Sequence, residues 1–381
     1  MKTSERKHEP LLHIAAREPL PWHWNLLIRA AGILAALLLC ALLTWVITEK
    51  NPIEFAVTVW HASFPANPAQ FRISFWSMLH DLAILLMLSL AVTPAFRMRF
   101  WNIGAEGQTL VGCLLTAICM RSMAGNAPNW LIILCSTLGA IAAGAVWGVI
   151  PAVFKARFGT NETLFTLMMN YIAARLVAYF WVIWKGPRSA LGMINGSEPV
   201  YQVGWLPQIG NEYLLNILIA AACALLMCVY LYQSKHGFEL SVVGESQKTA
   251  SYLGIRVGWV TVRTMLLSGA ICGLTGLMIT AGHDHTIDEG IVRGRGFTAV
   301  MVSWLAKFNP LYMILASFLI VFLQHGAKDI ASSNTININE SFSEILIGII
   351  LFSIIGTEFF IRYRVRFRHH GAAQKGGLTH V

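Results

Sequence analysis

From Arg97 to Gln108 the chain reads Arg-Met-Arg-Phe-Trp-Asn-Ile-Gly-Ala-Glu-Gly-Gln, and a long apolar run follows. A carboxylate, two amides and two glycines thus crowd the entrance to an apolar segment. Asn102 can cap the exposed N–H groups of a helix start, and Glu106 is favoured by the helix dipole there. Gly104 and Gly107 permit a close backbone approach or a break. Polar groups at membrane depth are costly and serve a pathway or hold neighbouring helices, so Asn102, Glu106 and Gln108 are candidate solute-pathway residues. A second cluster, Asn161-Glu162-Thr163, precedes Asn170 and Arg175 inside the next apolar run. Arg175 needs an acidic partner, and Asp81 and Glu162 are the expected ones. A third segment repeats the first pattern: Arg293 and Arg295 alternate with Gly294 and Gly296, and a short apolar stretch follows. The two could be inverted counterparts, a pointer to a transport site near the midplane. Glu106, Gln108, Asn170 and Thr298 are then expected to face one central cavity.

Two further motifs are set aside. Gly282-His283-Asp284-His285, with Asp288 and Glu289 behind it, offers metal-ligand types, but the spacing matches no defined ligand motif and no metal is expected. Gly244-Glu-Ser-Gln-Lys248-Thr249 ends like a phosphate loop. That loop requires glycine immediately before the lysine and again five residues earlier, where this chain has Gln247 and Val242. Any ATP-driven work must come from a partner. Neither H-E-x-x-H nor a nucleophile–base pairing is found, so catalytic residues and cofactors are expected to be absent.

The elements that position these residues are apolar. Hydrophobic residues make up 56% of 381 positions and charged residues 12%, about half the charge of an ordinary soluble domain. A soluble fold could not cover that surface, whereas lipid accepts it. Runs long enough to cross, about 20 residues, fall at 26–47, 75–94, 104–120, 130–154, 163–183, 212–232, 260–281 and 343–361. Two shorter ones, 297–306 and 310–324, flank the breaker Lys307-Phe308-Asn309-Pro310. The expectation is an all-α polytopic membrane bundle of about ten transmembrane helices. Residues 1–25 form an N-terminal segment, 26–361 the transmembrane domain, and 362–381 a basic tail.

With the N-terminus inside, 19 of the 28 Lys and Arg residues fall on the inner side and 8 on the outer, Arg175 lying within a span. This predicts both termini in the cytoplasm. The formal charge of +9 is spread between spans without an aromatic-interleaved basic stripe, so nucleic acid is not an expected partner. The seven cysteines lie in apolar runs without a C-x-x-C pair and read as buried thiols. Residues 184–211 form a Gly- and Pro-containing outer loop. The inner loop 233–259 instead mixes apolar and polar residues without proline from Glu239 to Leu253, predicting one short surface helix stopped by Gly254.

Several stretches in order resemble permeases of the branched-chain amino acid and simple-sugar superfamily of ABC importers, in particular the nucleoside-type branch dependent on basic membrane proteins. They are Trp101 to Gln108; Gly159-Thr-Asn-Glu-Thr with Leu167 to Ala173; Gly296-Phe-Thr-Ala-Val; Leu305 to Pro310; and Gly237 to Gly254. Together they cover roughly residues 75 to 360. Ser241 stands where that branch usually has a basic residue. The resemblance implies a permease that moves a nucleoside or related polar solute across a bacterial inner membrane. It implies Gly237, Glu239, Gly244, Glu245, Ala250 and Gly254 in an ATPase-coupling segment. It also implies three partners: a cytoplasmic ATPase, a second permease subunit (identical or paralogous), and an extracytoplasmic solute-binding protein, commonly lipid-anchored. The alternative is an ion-gradient-driven secondary transporter or channel, with Asp81, Glu106, Glu162 and Arg175 as its ion path.

Overall fold

Inside a bilayer each backbone N–H and C=O must be satisfied within the protein, which an apolar run achieves by coiling into a helix. All ten apolar segments are helical in the structure, a computed structural model that describes residues 12–17, 21–48, 57, 60–61, 64–184, 203–332 and 341–367. Most of the outer loop, 185–202, and the tail beyond 367 lie outside the described residues. The helices are α1 (Trp22–Thr48), α2 (Pro68–Arg97), α3 (Ala105–Met123), α4 (Asn129–Phe158), α5 (Glu162–Trp184) and α6 (Leu214–Gln233). They continue with α7 (Lys235–Glu245), α8 (Gln247–Tyr252), α9 (Val257–Ile279), α10 (Arg295–Leu305), α11 (Pro310–Ser332) and α12 (Ser341–Arg362). A π turn, Thr280–Asp284, extends α9.

The chain forms two compact units. In the first, α1 packs on α12, with Gly32 set against Thr357. Strand β1 (Leu12–Ala16) pairs antiparallel with β2 (Tyr363–Phe367), Leu12 opposite Phe367 and Ala16 opposite Tyr363. This short ribbon lies within the otherwise helical fold and joins the stretch before α1 to the stretch after α12.

The second unit, Val59–Gly326, is organised around a glycine seam. Gly144 and Gly148 recur every four residues on α4, and Gly269 and Gly273 do the same on α9, so each helix presents a bare stripe. A Cβ on Gly144 would strike the Gly269 carbonyl, one on Gly269 the Gly144 carbonyl, and one on Gly273 the Ala140 carbonyl. On α3, Gly112 meets Gly273 backbone to backbone, and the Cys113 thiol donates to the Gly276 carbonyl over 3.5 Å. Small residues permit this close approach, and dispersion then holds the helices where water supplies no hydrophobic drive.

Among the described residues, six helices are long and apolar enough to cross a membrane: α1, α2, α4, α5, α6 and α9 with its π turn. The segment expected at 297–306 departs from a full span. Its helix has 11 residues and rises about 16 Å, roughly half the hydrocarbon thickness. Its N-terminal residue Arg295 meets Asp81, near the middle of α2, while Ser303 meets Thr93 farther along α2, hydroxyl to hydroxyl at 2.8 Å. Helix α10 therefore starts at mid-depth, and residues 285–294 reach that depth without forming a helix. Helix α3 is the inverted counterpart. Residues 98–104 climb from the end of α2 until Asn102 meets Ser268 at the middle of α9. From there α3 runs the opposite way to α10, as the Cys113–Gly276 contact near the far end of α9 shows.

The seam generates a prediction. Gly273→Leu should over-pack the α3–α4–α9 crossing and lower the melting temperature of the detergent-solubilised protein by on the order of 5 °C. Gly258→Leu, whose added Cβ would meet only the Ala156 Cβ at 3.4 Å, should shift it by much less. Equal melting of the two variants would refute a packing role for the seam.

Candidate functional site

Two helices that begin inside a membrane leave their first N–H groups without intrahelical partners. At α10 the missing acceptor comes from α3. Glu106 accepts from Gly294 N at 2.9 Å through one oxygen and from Gly296 N at 2.7 Å through the other. The carboxylate thus lies in the positive field of two helix starts, its own and that of α10. Gly296 is required by the fit, since a Cβ there would lie 2.5 Å from Glu106 N. Gly294, at φ +68, turns the chain into the helix.

The amides complete the junction. Asn102, fully buried, accepts from Gly104 N at 2.9 Å and from Gln108 Nε2 at 3.3 Å, and donates to Ser268 at 3.1 Å. Asn170 on α5 accepts from Gly107 N at 2.9 Å and donates to the Ile103 carbonyl at 2.9 Å. Thr298 bonds back to the Gly294 carbonyl at 3.4 Å. The structure therefore brings Asn102, Glu106, Gln108, Asn170 and Thr298 together, but most of their polar atoms are engaged with the chain itself. The exception is Gln108 Oε1, buried with no protein partner.

A charge network adjoins this junction. Asp81 pairs with Arg295 through one oxygen and lies 3.0 Å from His325 Nε2 through the other. Arg295 was expected in an outer loop; it is instead buried at the start of α10, because Asp81 receives its charge there. The partners expected for Arg175 are corrected. Asp81 is occupied as described, and Glu162 pairs with Lys155 across the α4–α5 turn at 2.7 Å. Arg175 pairs with Glu289 at 3.2 Å. Asn161 caps α5, accepting from Leu164 N at 3.2 Å. His283 and His285 diverge: the first lies 2.9 Å from Asp284, while the second stacks on Trp205 at 3.6 Å between ring centroids.

The inner-loop helix expected from Glu239 to Leu253 is two helices. At Ser246 the backbone is extended, and its hydroxyl accepts from Thr249 N at 3.2 Å, capping a new helix. A serine side chain competing for backbone bonds ended the first one. Gly254, at φ +77, closes the second with bonds from Gly254 N to Ser251 O and Ile255 N to Ala250 O. Helix α7 buries Gly237, Leu240, Val243 and Gly244, and a Cβ on Gly244 would strike the Arg97 carbonyl. Glu239 bonds Arg263 at 2.9 Å. Partial burial raises its pKa, yet the Arg263 bond and charge, with His236 behind them, outweigh this and hold it below its ordinary value. Glu245 is exposed and Ala250 buried. Exposed Phe238, Tyr252 and Leu253 complete a surface that the sequence reading missed; their apolar type within a polar loop was the available signal.

Glu106→Ala would leave two buried donors at α10 unsatisfied, whereas Glu106→Gln keeps one carbonyl acceptor. Assembled protein, measured by size-exclusion chromatography, should fall strongly for the alanine variant and less for the glutamine variant, each lost acceptor costing about 1–3 kcal/mol. Equal yields of wild type and both variants would refute this bracing role.

The comparisons with known proteins agree with one another. Residues 74–355 match the family described as branched-chain amino acid transport system / permease component. The guanosine ABC transporter permease protein NupP of Bacillus subtilis is 32% identical over 295 residues, covering 76% of this chain and 82% of that protein. A nucleoside ABC transporter permease of Lactococcus lactis, NupB, is 24% identical over 65% of this chain and 71% of its own length. A glucose ABC transporter permease of Haloferax volcanii is 27% identical over 74% and 76%. A chain from a solved ABC transporter in an inward-facing conformation shares the fold, with 13% identity, a TM-score of 0.50, and coverage of 80% of this chain and 96% of that one. Family match, relatives and a helical bundle built on a mid-membrane junction converge on one conclusion: the chain belongs to the branched-chain amino acid transport system permease family and is the membrane-spanning permease component of an ABC transporter.

Proposed function

We propose that the protein imports a nucleoside or a closely related hydroxyl-rich solute across a bacterial inner membrane. The observation that carries this reading is the similarity to a guanosine permease over 82% of that protein's length; the Lactococcus nucleoside permease supports the same class. In this reading the α7–α8 end of the second unit and both chain termini face the cytoplasm, in keeping with the excess of Lys and Arg there. A separate ATPase docks on α7 and α8, a second permease subunit completes the solute route, and an extracytoplasmic solute-binding protein, a lipoprotein in this reading, delivers the solute. The ion-gradient alternative is disfavoured, because Asp81 and Glu106 are engaged by Arg295, His325 and two backbone N–H groups.

The coupling role rests on the two faces of the α7–α8 element. One face packs into the bundle through Leu240 and Val243, and the other presents Phe238, Tyr252 and Leu253, exposed by 64%, 90% and 63%. Exposed apolar anchors on a rigid element suit a groove on a partner. Gly244 is a poor probe of docking because any side chain there would displace the end of α2.

The double variant Tyr252→Ala/Leu253→Ala should insert and assemble normally in the native host. It should retain about a tenth or less of the co-purifying ATPase and lose ATP-dependent uptake of radiolabelled guanosine. Undiminished ATPase capture would overturn the docking surface. Absence of guanosine uptake in the wild type would overturn the substrate class.

A further inference from the structure

Helix α5 buries Thr166, Met169, Asn170, Ala173 and Val177 and leaves Arg175 on the opposite side, its side chain 78% exposed. From Glu162 to Arg175 the helix rises about 20 Å, and about 14 Å remain to Trp184. The guanidinium is therefore attached well inside a hydrocarbon core about 30 Å thick, where a charge facing lipid is strongly disfavoured. Its partner Glu289 is itself 51% exposed and belongs to residues 285–294, the non-helical stretch that reaches mid-depth. Gly290 beside it is exposed, as is Arg293, at 56%. Irregular backbone inside a bilayer is tolerated where protein buries it or where it lines water; here Ile287, Ile291 and Val292 are buried, while Glu289, Gly290 and Arg293 are uncovered in the single chain. On a face of α5 otherwise lined by Met168, Tyr171, Ile172 and Tyr179, the exposed ion pair and the uncovered turn that carries Glu289 point to water at this spot.

We infer that Arg175 and Glu289 line the water-filled solute route and form the station at which it selects a neutral, hydroxyl-rich solute. The inference rests on the nucleoside reading above. A carboxylate with two acceptor oxygens can accept from both hydroxyls of a vicinal diol, while a guanidinium donates to a carbonyl or ring nitrogen. Because the pair carries both signs, its own charges balance. A hydroxyl-rich neutral solute finds donors and acceptors there, whereas an anionic solute must shed water without gaining an unpaired counter-charge. Sites built to hydrogen-bond a hydroxyl strongly reject the analogue that lacks it.

The test uses the full chain in its native transporter and measures uptake of guanosine, its 2′,3′-dideoxy analogue and its 5′-monophosphate. Glu289→Gln should lower guanosine uptake at subsaturating concentration about tenfold and erase the preference over the dideoxy analogue. The charge exchange Arg175→Glu/Glu289→Arg should assemble yet fail to restore that preference. In a cysteine-free background, a membrane-impermeant thiosulfonate should label Arg175→Cys and Glu289→Cys but spare Val146→Cys, which is 63% exposed among apolar neighbours on α4. Lack of labelling at both positions overturns the inference. So does wild-type discrimination in Glu289→Gln, or its full recovery in the exchanged pair, which would make the contact structural only. If the wild type takes up no guanosine, the function reading fails instead.

Discussion

The arrangement depends on one carboxylate that satisfies a helix other than its own. In water, the first N–H groups of α10 could bond solvent; at mid-depth each would stand as an uncompensated polar group. Glu106 meets two of them, and this lets a helix of half-membrane length begin where it does. From that start follow the buried position of Arg295, its pairing with Asp81, and the approach of His325 on α11. The amides of Asn102 and Asn170 serve the backbone around the start of α3. The midplane polar cluster is first a solution to a backbone problem, and a solute has to be recognised by what that solution leaves over.

The glycine seam supplies the complementary rigidity. Where Gly144, Gly269 and Gly273 allow backbones to touch, α3, α4 and α9 have little freedom to slide, because close-packed interfaces shift between discrete arrangements instead of deforming smoothly. The junction is therefore mounted on a firm frame. The elements around it are less enclosed: α5 exposes a largely apolar stripe that includes Tyr171, Ile172 and Tyr179 beside Arg175, and the turn before α10 exposes Glu289, Gly290 and Arg293. The physical division is between a glycine-packed interior and an open flank where the Arg175–Glu289 pair stands exposed.

Much of this was legible in the chain. Apolar run length located all ten helical segments, and the Lys307–Pro310 breaker marked the join between α10 and α11. Paired arginines and glycines at 97–107 and 293–296 flagged the two inverted helix starts, because both need glycine and both stand where polar groups are costly. What stayed hidden was partner choice across space. Glu289 and the expected partner Asp81 both lie far from Arg175 in sequence, so spacing could not rank them; in space Asp81 is taken by Arg295 and Glu162 by Lys155. Ser246 was hidden differently: its side chain overrode a continuous helical pattern by capping a new helix. The seam carried a readable signal, small residues four apart at 140, 144 and 148 and at 269 and 273, but it was submerged in runs where every residue is apolar.

The pairing of the first helix with the last has a consequence for how the protein is made. Helix α1 is synthesised long before its partner α12 and strand β2. At roughly 5–20 residues added per second, α1 must reside in the bilayer on the order of tens of seconds before its companion exists. During that wait its intended contact face is open to lipid or to other nascent spans. Closure of the β1–β2 ribbon must wait until β2 has been made, and a chain truncated before α12 would carry every element of the junction while leaving α1 unmatched.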